Sequence, residues 1–168
     1  LQLIAVAGKD PELYASLKQM EWHIPVKIYE FTDNMPTLMQ SSDAIICKAG
    51  GLIVTESLAC GLPMMLVDVI PGQETGNAEY VVQNGAGTLV EEPIEMLETI
   101  ADWLRDGGRL LQEKTANARR LGRPDAALQT AEILFNAADA YIQRRRERSA
   151  RPRRPITTLL NERKENRD

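Results

Sequence analysis

Ala44-Ile-Ile-Cys-Lys-Ala-Gly-Gly-Leu-Ile-Val-Thr-Glu-Ser-Leu-Ala-Cys-Gly-Leu-Pro-Met-Met-Leu-Val67 is the stretch on which the fold turns. Ala44 to Cys47 is a short apolar run without charge and reads as a buried strand. Gly50-Gly51 then opens a helix running through Ala59, and Gly61-Leu-Pro63 stops it. Met64-Met-Leu-Val67 follows as a second apolar strand. Two short strands joined through a helix are parallel, because a crossover returns the chain to the same end of the sheet.

The same alternation extends on both sides. Leu3 to Ala7 reads as a buried strand ended by Gly8, and Asp10-Pro11 starts a helix with proline at its first position. Val26 to Phe31 alternates like a strand, and Asp33-Asn-Met-Pro36 caps a short helix ending near Ser41-Ser42. After a loop over Pro71–Asn77, Ala78 to Gln83 is helical, and Gly87 to Val90 is a strand. From Pro93 onward the pattern is helical, with breaks at Gly107-Gly108 and Gly122-Arg-Pro124. Strands of four to six apolar residues alternating with helices predict an α/β fold: a parallel sheet with helices on both faces. The expected division is a domain over residues 1–143 and a disordered tail over 144–168.

With 168 residues, 43% hydrophobic and 26% charged, the chain suits one globular domain. No apolar run approaches the roughly 20 residues needed to span a bilayer. Cys47 and Cys60 sit in apolar company without metal-binding spacing and read as free thiols of a reducing, cytoplasmic compartment. Leu1 lies at the edge of an apparent strand, so the expectation is a piece of a longer protein. The net charge of −4 hides a split: residues 1–143 carry 10 basic against 20 acidic residues, and residues 144–168 carry 10 against 4.

Three strand-to-helix junctions carry chemistry. In an open parallel sheet, ligands bind beyond the carboxyl ends of the strands. At the first junction, Gly50 and Gly51 let backbone approach a phosphate closely, and the N–H groups of Leu52 and Ile53 stand at the positive end of a helix. Glu56, over a turn further on, can accept hydrogen bonds from vicinal ribose hydroxyls. The bland alternative is a tight turn and a solvated glutamate. At the second, Gln73, Glu74 and Asn77 follow the Pro71-Gly72 turn and offer donors and acceptors that suit sugar hydroxyls; their alternative role is turn formation and helix capping. At the third, main-chain groups around Thr32 can read a planar base flanked by Phe31 and Met35, against the alternative of a plain turn.

Phe31-Thr-Asp-Asn-Met-Pro36, Lys48-Ala-Gly-Gly with Thr55-Glu56, Gly61-Leu-Pro63 and Pro71-Gly-Gln-Glu-Thr-Gly-Asn77 together resemble the donor-binding half of GT-B glycosyltransferases. The nearer match is the monogalactosyldiacylglycerol synthase and processive diacylglycerol glucosyltransferase group, and the peptidoglycan N-acetylglucosaminyltransferase is more distant. The resemblance covers roughly residues 1–140 and implies a Rossmann-like domain, the C-terminal half of a GT-B fold. It places uracil near Phe31, Thr32 and Met35, diphosphate at Gly50, Gly51, Leu52 and Ile53, ribose on Glu56, and hexose on Gln73, Glu74 and Asn77. It further implies an inverting, metal-independent transferase using UDP-galactose or UDP-glucose as donor substrate, with no cofactor. The N-terminal acceptor-binding domain and the first strand of the donor domain would precede Leu1.

The expected function is therefore hexosyl transfer from a UDP-sugar to diacylglycerol, with this segment alone inactive and holding no catalytic residue; His23, the single histidine, reads as part of a surface connection. The rivals are a non-catalytic nucleotide-sugar-binding subunit, a peptidoglycan-type UDP-N-acetylglucosaminyltransferase, and, less favoured, a UDP-sugar epimerase. Arg144, Arg145, Arg146, Arg148, Arg151, Arg153 and Arg154 suit an anionic membrane surface, consistent with a peripheral enzyme at the inner face; the alternative is a solvated tail. Nucleic acid is not expected, because the body is acidic and lacks interleaved aromatic and basic residues.

Overall fold

The computed structural model describes residues 1–150. In chain order the elements are β1 (Leu3–Val6), α1 (Pro11–Gln19), β2 (Val26–Tyr29), α2 (Met35–Gln40), β3 (Ile45–Cys47), α3 (Gly51–Cys60), β4 (Met64–Leu66), α4 (Thr75–Gln83), β5 (Gly87–Leu89), α5 (Pro93–Leu121) and α6 (Ala126–Ala150). Local chemistry sets the boundaries. The Asp10 carboxylate accepts the Leu13 N–H at 2.9 Å, and Pro11 occupies the first turn of α1, where its missing N–H costs nothing. Gly61 ends α3 at φ +72°, a left-handed conformation that glycine adopts without strain. Helix α5 is broken at Arg105–Gly108, where Asp106, Gly107 and Gly108 take positive φ, matching the expected glycine break.

Every strand pair is parallel, as the βαβ pattern requires. The described strands nevertheless form two ladders, β1-β2 and β3-β4-β5. In the three-stranded ladder β4 is buried at all three positions. Its side chains alternate between faces. Met64 and Leu66 pack with Ala49, Val54, Leu58, Ala78, Val81, Ala86 and Ala118. Met65 packs on the other face with Val90 and Trp103, joined by partly buried Ile100 and Leu111 of α5. The core thus forms around β4, with α3, α4 and the end of α5 on one side and α5 residues from both sides of its break on the other.

The first ladder differs from expectation. No residue before Met39 is buried, and β1, read as a buried strand, is only half-buried along its length. The physical reason is pairing: β1 has one neighbour, β2, instead of two. Cys47 and Cys60 are free thiols, each half-buried.

The chain divides into two units, the first being Leu1–Pro124 and the second starting at Asp125. Over its described residues the second unit is α6, which runs through Ala150 and so passes the expected boundary at 143/144. Arg144, Arg145, Arg146 and Arg148 are exposed on this helix, whereas Arg151, Arg153 and Arg154 lie outside the described residues.

Candidate functional site

The carboxyl ends of β3 and β4 meet at one corner. Helix α3 begins there with Gly50 at its N-cap (φ −64°, ψ 143°), and no side chain caps it. The first helical hydrogen bond is Val54 N–H to Gly50 C=O at 3.0 Å, which leaves the N–H groups of Gly51, Leu52 and Ile53 without intrahelical partners. Leu52 stands exposed beside them. Three free donors and the positive end of the helix dipole therefore face solvent at one point.

The two glycines there are not required by the backbone. Neither has positive φ. A methyl on Gly50 would come no closer than 3.7 Å to any heavy atom, the Glu74 Oε1 and Ile53 Cγ2 atoms, and one on Gly51 no closer than 3.8 Å, to Asn77 Nδ2. The fold would accept alanine at both positions, so the open space above the amides is free for a ligand.

The Pro71–Asn77 turn packs against this corner. Asn77 Nδ2 donates to Ala49 C=O at 2.9 Å, tying the start of α4 to the end of β3. The buried Glu74 accepts the Ile70 N–H on Oε2 at 3.0 Å, and its backbone N–H donates to Ile70 C=O at 2.9 Å, closing the turn. Thr75 Oγ1 accepts the Gly72 N–H at 2.9 Å. Glu74 and Asn77 are thus partly engaged in holding the turn, with Glu74 Oε1 and Asn77 Oδ1 remaining toward the glycines or solvent. Gln73 is exposed on the turn, and Glu56 is exposed on α3.

Lys48 carries no role in the sequence reading. It lies two residues before Gly50, and its Nζ is 2.9 Å from Asp68, both side chains being more than half exposed. The hydrogen bond and charge of Asp68 hold the Lys48 pKa above its ordinary value, with a smaller push from Glu74. Asp68 itself sits at φ +54°, an uncommon conformation that ends β4 and turns its carboxylate toward Lys48. In the sequence this cation shows only as a lysine closing an apolar strand. Beneath it, Cys47 is pushed up to about 11, first by burial and then by the Glu74 charge.

The third junction stands on the other ladder. Phe31 is 55% exposed just beyond β2, with Lys9 Nζ 5.0 Å from its ring centre. Thr32 Oγ1 accepts the Asn34 N–H at 3.1 Å, and Asn34 Oδ1 accepts the Thr37 hydroxyl at 2.6 Å. Met35 begins α2 half-buried. The structure therefore brings Gly50, Gly51, Glu74 and Asn77 together with Lys48, while Phe31, Thr32 and Met35 cluster separately around the end of β2. Among the described residues no group of three or more His, Cys, Asp and Glu side chains is placed to hold a metal.

The chain is similar to known proteins. The model of the glycosyltransferase family 28 C-terminal domain matches residues 1–130. Monogalactosyldiacylglycerol synthase 3 of Arabidopsis thaliana is 43% identical over 125 residues, covering 74% of this chain and 27% of the relative. Monogalactosyldiacylglycerol synthase of Spinacia oleracea is 36% identical over 133 residues, covering 79% and 26% respectively. The chain thus spans about a quarter of the length of these relatives. Among solved structures, MurG of Acinetobacter baumannii superposes with a TM-score of 0.61 at 22% identity, covering 81% of this chain and 50% of that one, a likeness of fold.

Proposed function

The chain belongs to the glycosyltransferase family 28 C-terminal domain family, and from that premise we propose that it is the donor-binding half of a hexosyltransferase that moves a hexose from UDP to diacylglycerol. The observation that carries the proposal is the uncapped start of α3: three free N–H groups behind two glycines that the fold does not need. The family and the names of the relatives support the donor class and the lipid acceptor.

In this reading the diphosphate oxygens lie on the N–H groups of Gly51, Leu52 and Ile53, and Lys48 leaves Asp68 to pair with them. Glu56 accepts the ribose hydroxyls. Gln73 and the free oxygens of Glu74 and Asn77 hold the hexose. Phe31, Thr32 and Met35 receive the uracil. The acceptor hydroxyl attacks the anomeric carbon as the bond from that carbon to the diphosphate oxygen breaks. The electron pair of the broken bond stays on the diphosphate, and the hydroxyl proton passes to a base outside this chain. Fixed N–H donors at the helix start stabilise the charge that grows on the leaving oxygen, and they need no reorganisation at that moment.

The lipid acceptor places the enzyme peripherally at the cytoplasmic face of an anionic membrane, which the exposed Arg144, Arg145, Arg146 and Arg148 suit. No described helix is long and apolar enough to cross a membrane.

Calorimetric titration of the intact enzyme with UDP, UDP-galactose and UDP-glucose tests the proposal. Glu56→Ala raises the donor KM by on the order of tenfold, the loss expected for hydrogen bonds to a charged group. Unchanged donor kinetics in that variant would remove Glu56 from the site.

A further inference from the structure

The end of the sheet opposite the donor corner carries a second concave surface. A cavity of about 570 Å³ opens at the amino ends of β3 and β4, between the turn that leads from α2 into β3, the end of α3, and α5 on both sides of its break. None of its lining residues belongs to the proposed donor site. Leu62, buried, and Leu111, half-buried, provide apolar surface, and the side chains of Gln40 and Gln112 are exposed beside them. At the break, Gly107 and Gly108 take φ of +70° and +79°, and a methyl on Gly107 would meet nothing within 4 Å, so the backbone there borders open space.

Two opposite charges line this cavity without a partner. A methyl on Gly61 would lie 2.5 Å from Arg119 Cγ, so the stem of Arg119 fills the space over Gly61 and fixes the side chain in the wall. Asp43 stands in the turn before β3. Among the described residues the ion pairs are Lys48–Asp68 and Arg105–Asp102, so Arg119 and Asp43 are paired neither with each other nor elsewhere. Both are exposed, so neither charge costs the fold a desolvation penalty. Arg119 also lies by the last turn of α3, where a cation offsets the helix dipole. That role leaves Asp43 and the cavity unexplained.

We propose that this cavity is a second ligand site, taking a small zwitterion whose anionic group pairs with Arg119, whose ammonium pairs with Asp43 and whose carbon skeleton lies against Leu62 and Leu111. Charge selects this class. A neutral ligand would strip water from two full charges and compensate neither. An anion alone or a cation alone would satisfy one charge and leave the other desolvated. A molecule carrying both signs compensates both. The side-chain amides of Gln40 and Gln112 each offer a donor and an acceptor, and so serve either end of such a ligand. The volume lies within the roughly 300–1,000 Å³ of small-molecule sites. Two sources present this chemistry: free α-amino acids with an aliphatic side chain, and the ethanolamine phosphodiester headgroup of a phospholipid. The site stands at the other end of the parallel strands from the α3 amides and does not depend on the identity of the donor.

Calorimetric titration of the intact enzyme tests the site, with leucine and glycerophosphoethanolamine as zwitterions and isocaproate and isoamylamine as singly charged controls. At least one zwitterion is expected to bind with a Kd of about 1 mM or tighter, and both controls about tenfold or more weakly than it. Tighter binding of leucine identifies an amino acid as the source, and tighter binding of glycerophosphoethanolamine identifies a headgroup; either outcome supports the site. Arg119→Ala and Asp43→Asn each weaken binding of that zwitterion by about tenfold or more and leave UDP binding unchanged. Should Arg119→Ala, which removes packing over Gly61, fold poorly, Asp43→Asn carries the test, since Asp43 is exposed and unpaired among the described residues. Binding of neither zwitterion, controls that bind as tightly, full retention of the zwitterion by the Asp43→Asn variant, or its displacement by saturating UDP would each overturn the proposal.

Discussion

Replacing Gly51 with alanine separates what the fold needs from what the ligand needs. Gly51 is the first residue of α3, its φ is not positive, and an added methyl would meet nothing closer than Asn77 Nδ2 at 3.8 Å. Alanine is the better helix former by about 1 kcal/mol in a helix interior and by less at a terminus. The melting temperature should therefore hold or rise slightly. The Cβ of a helical residue tilts toward the N-terminus, over the amides that a phosphate oxygen must approach. Losing one hydrogen bond to a charged group costs about 1.5–3 kcal/mol, equivalent to a roughly ten- to hundredfold weaker Kd. The assay pairs calorimetric titration of the intact enzyme with UDP against thermal denaturation of the same preparation. A variant that binds UDP as well as the parent refutes the phosphate position. A melting point several degrees lower refutes the premise that the glycine is there for a ligand.

Lys48→Ala should weaken UDP binding on the order of tenfold and flatten its salt dependence, with the melting temperature unchanged because the pair with Asp68 is exposed; titrations at two salt concentrations check this. Cys47, raised to about 11 from 9.0, should react with iodoacetamide at pH 8 about a hundredfold more slowly than an ordinary thiol of pKa 9, as mass spectrometry would show. Because its folded pKa is the higher one, the stability linked to Cys47 is complete below pH 9 and is lost as pH rises through about 11. Gly87→Ala places a methyl against Met64 C=O and 2.6 Å from Val81 Cγ1 inside the β4–β5 contact, so urea denaturation should show a loss of about 3 kcal/mol.

The parallel topology was legible because Ala44–Cys47 and Met64–Val67 are apolar runs flanking a helix with glycine at each end, a pattern with few alternatives. The kink in α5 followed from Gly107-Gly108 for the same local reason. The division of the sheet was not legible: the sequence of β1 records an apolar strand, and whether it has one neighbour or two depends on residues far away. In the site, the glycines before α3 declared themselves by their place at a strand end. The tie from Asn77 to Ala49 spans 28 positions, and the closure of the turn by Glu74 depends on the path of its backbone, so neither shows in residue type. Lys48, quoted in its motif, received no role because its partner, Asp68, is brought beside it only by the pairing of β3 with β4.

The most direct measurement of the central claim is a crystal structure of the intact enzyme with UDP bound. Diphosphate oxygens within about 3 Å of the Gly51, Leu52 and Ile53 nitrogens, with Lys48 drawn away from Asp68, are the predicted result. A nucleotide bound elsewhere, with the Lys48–Asp68 pair intact and those amides facing water, would contradict it.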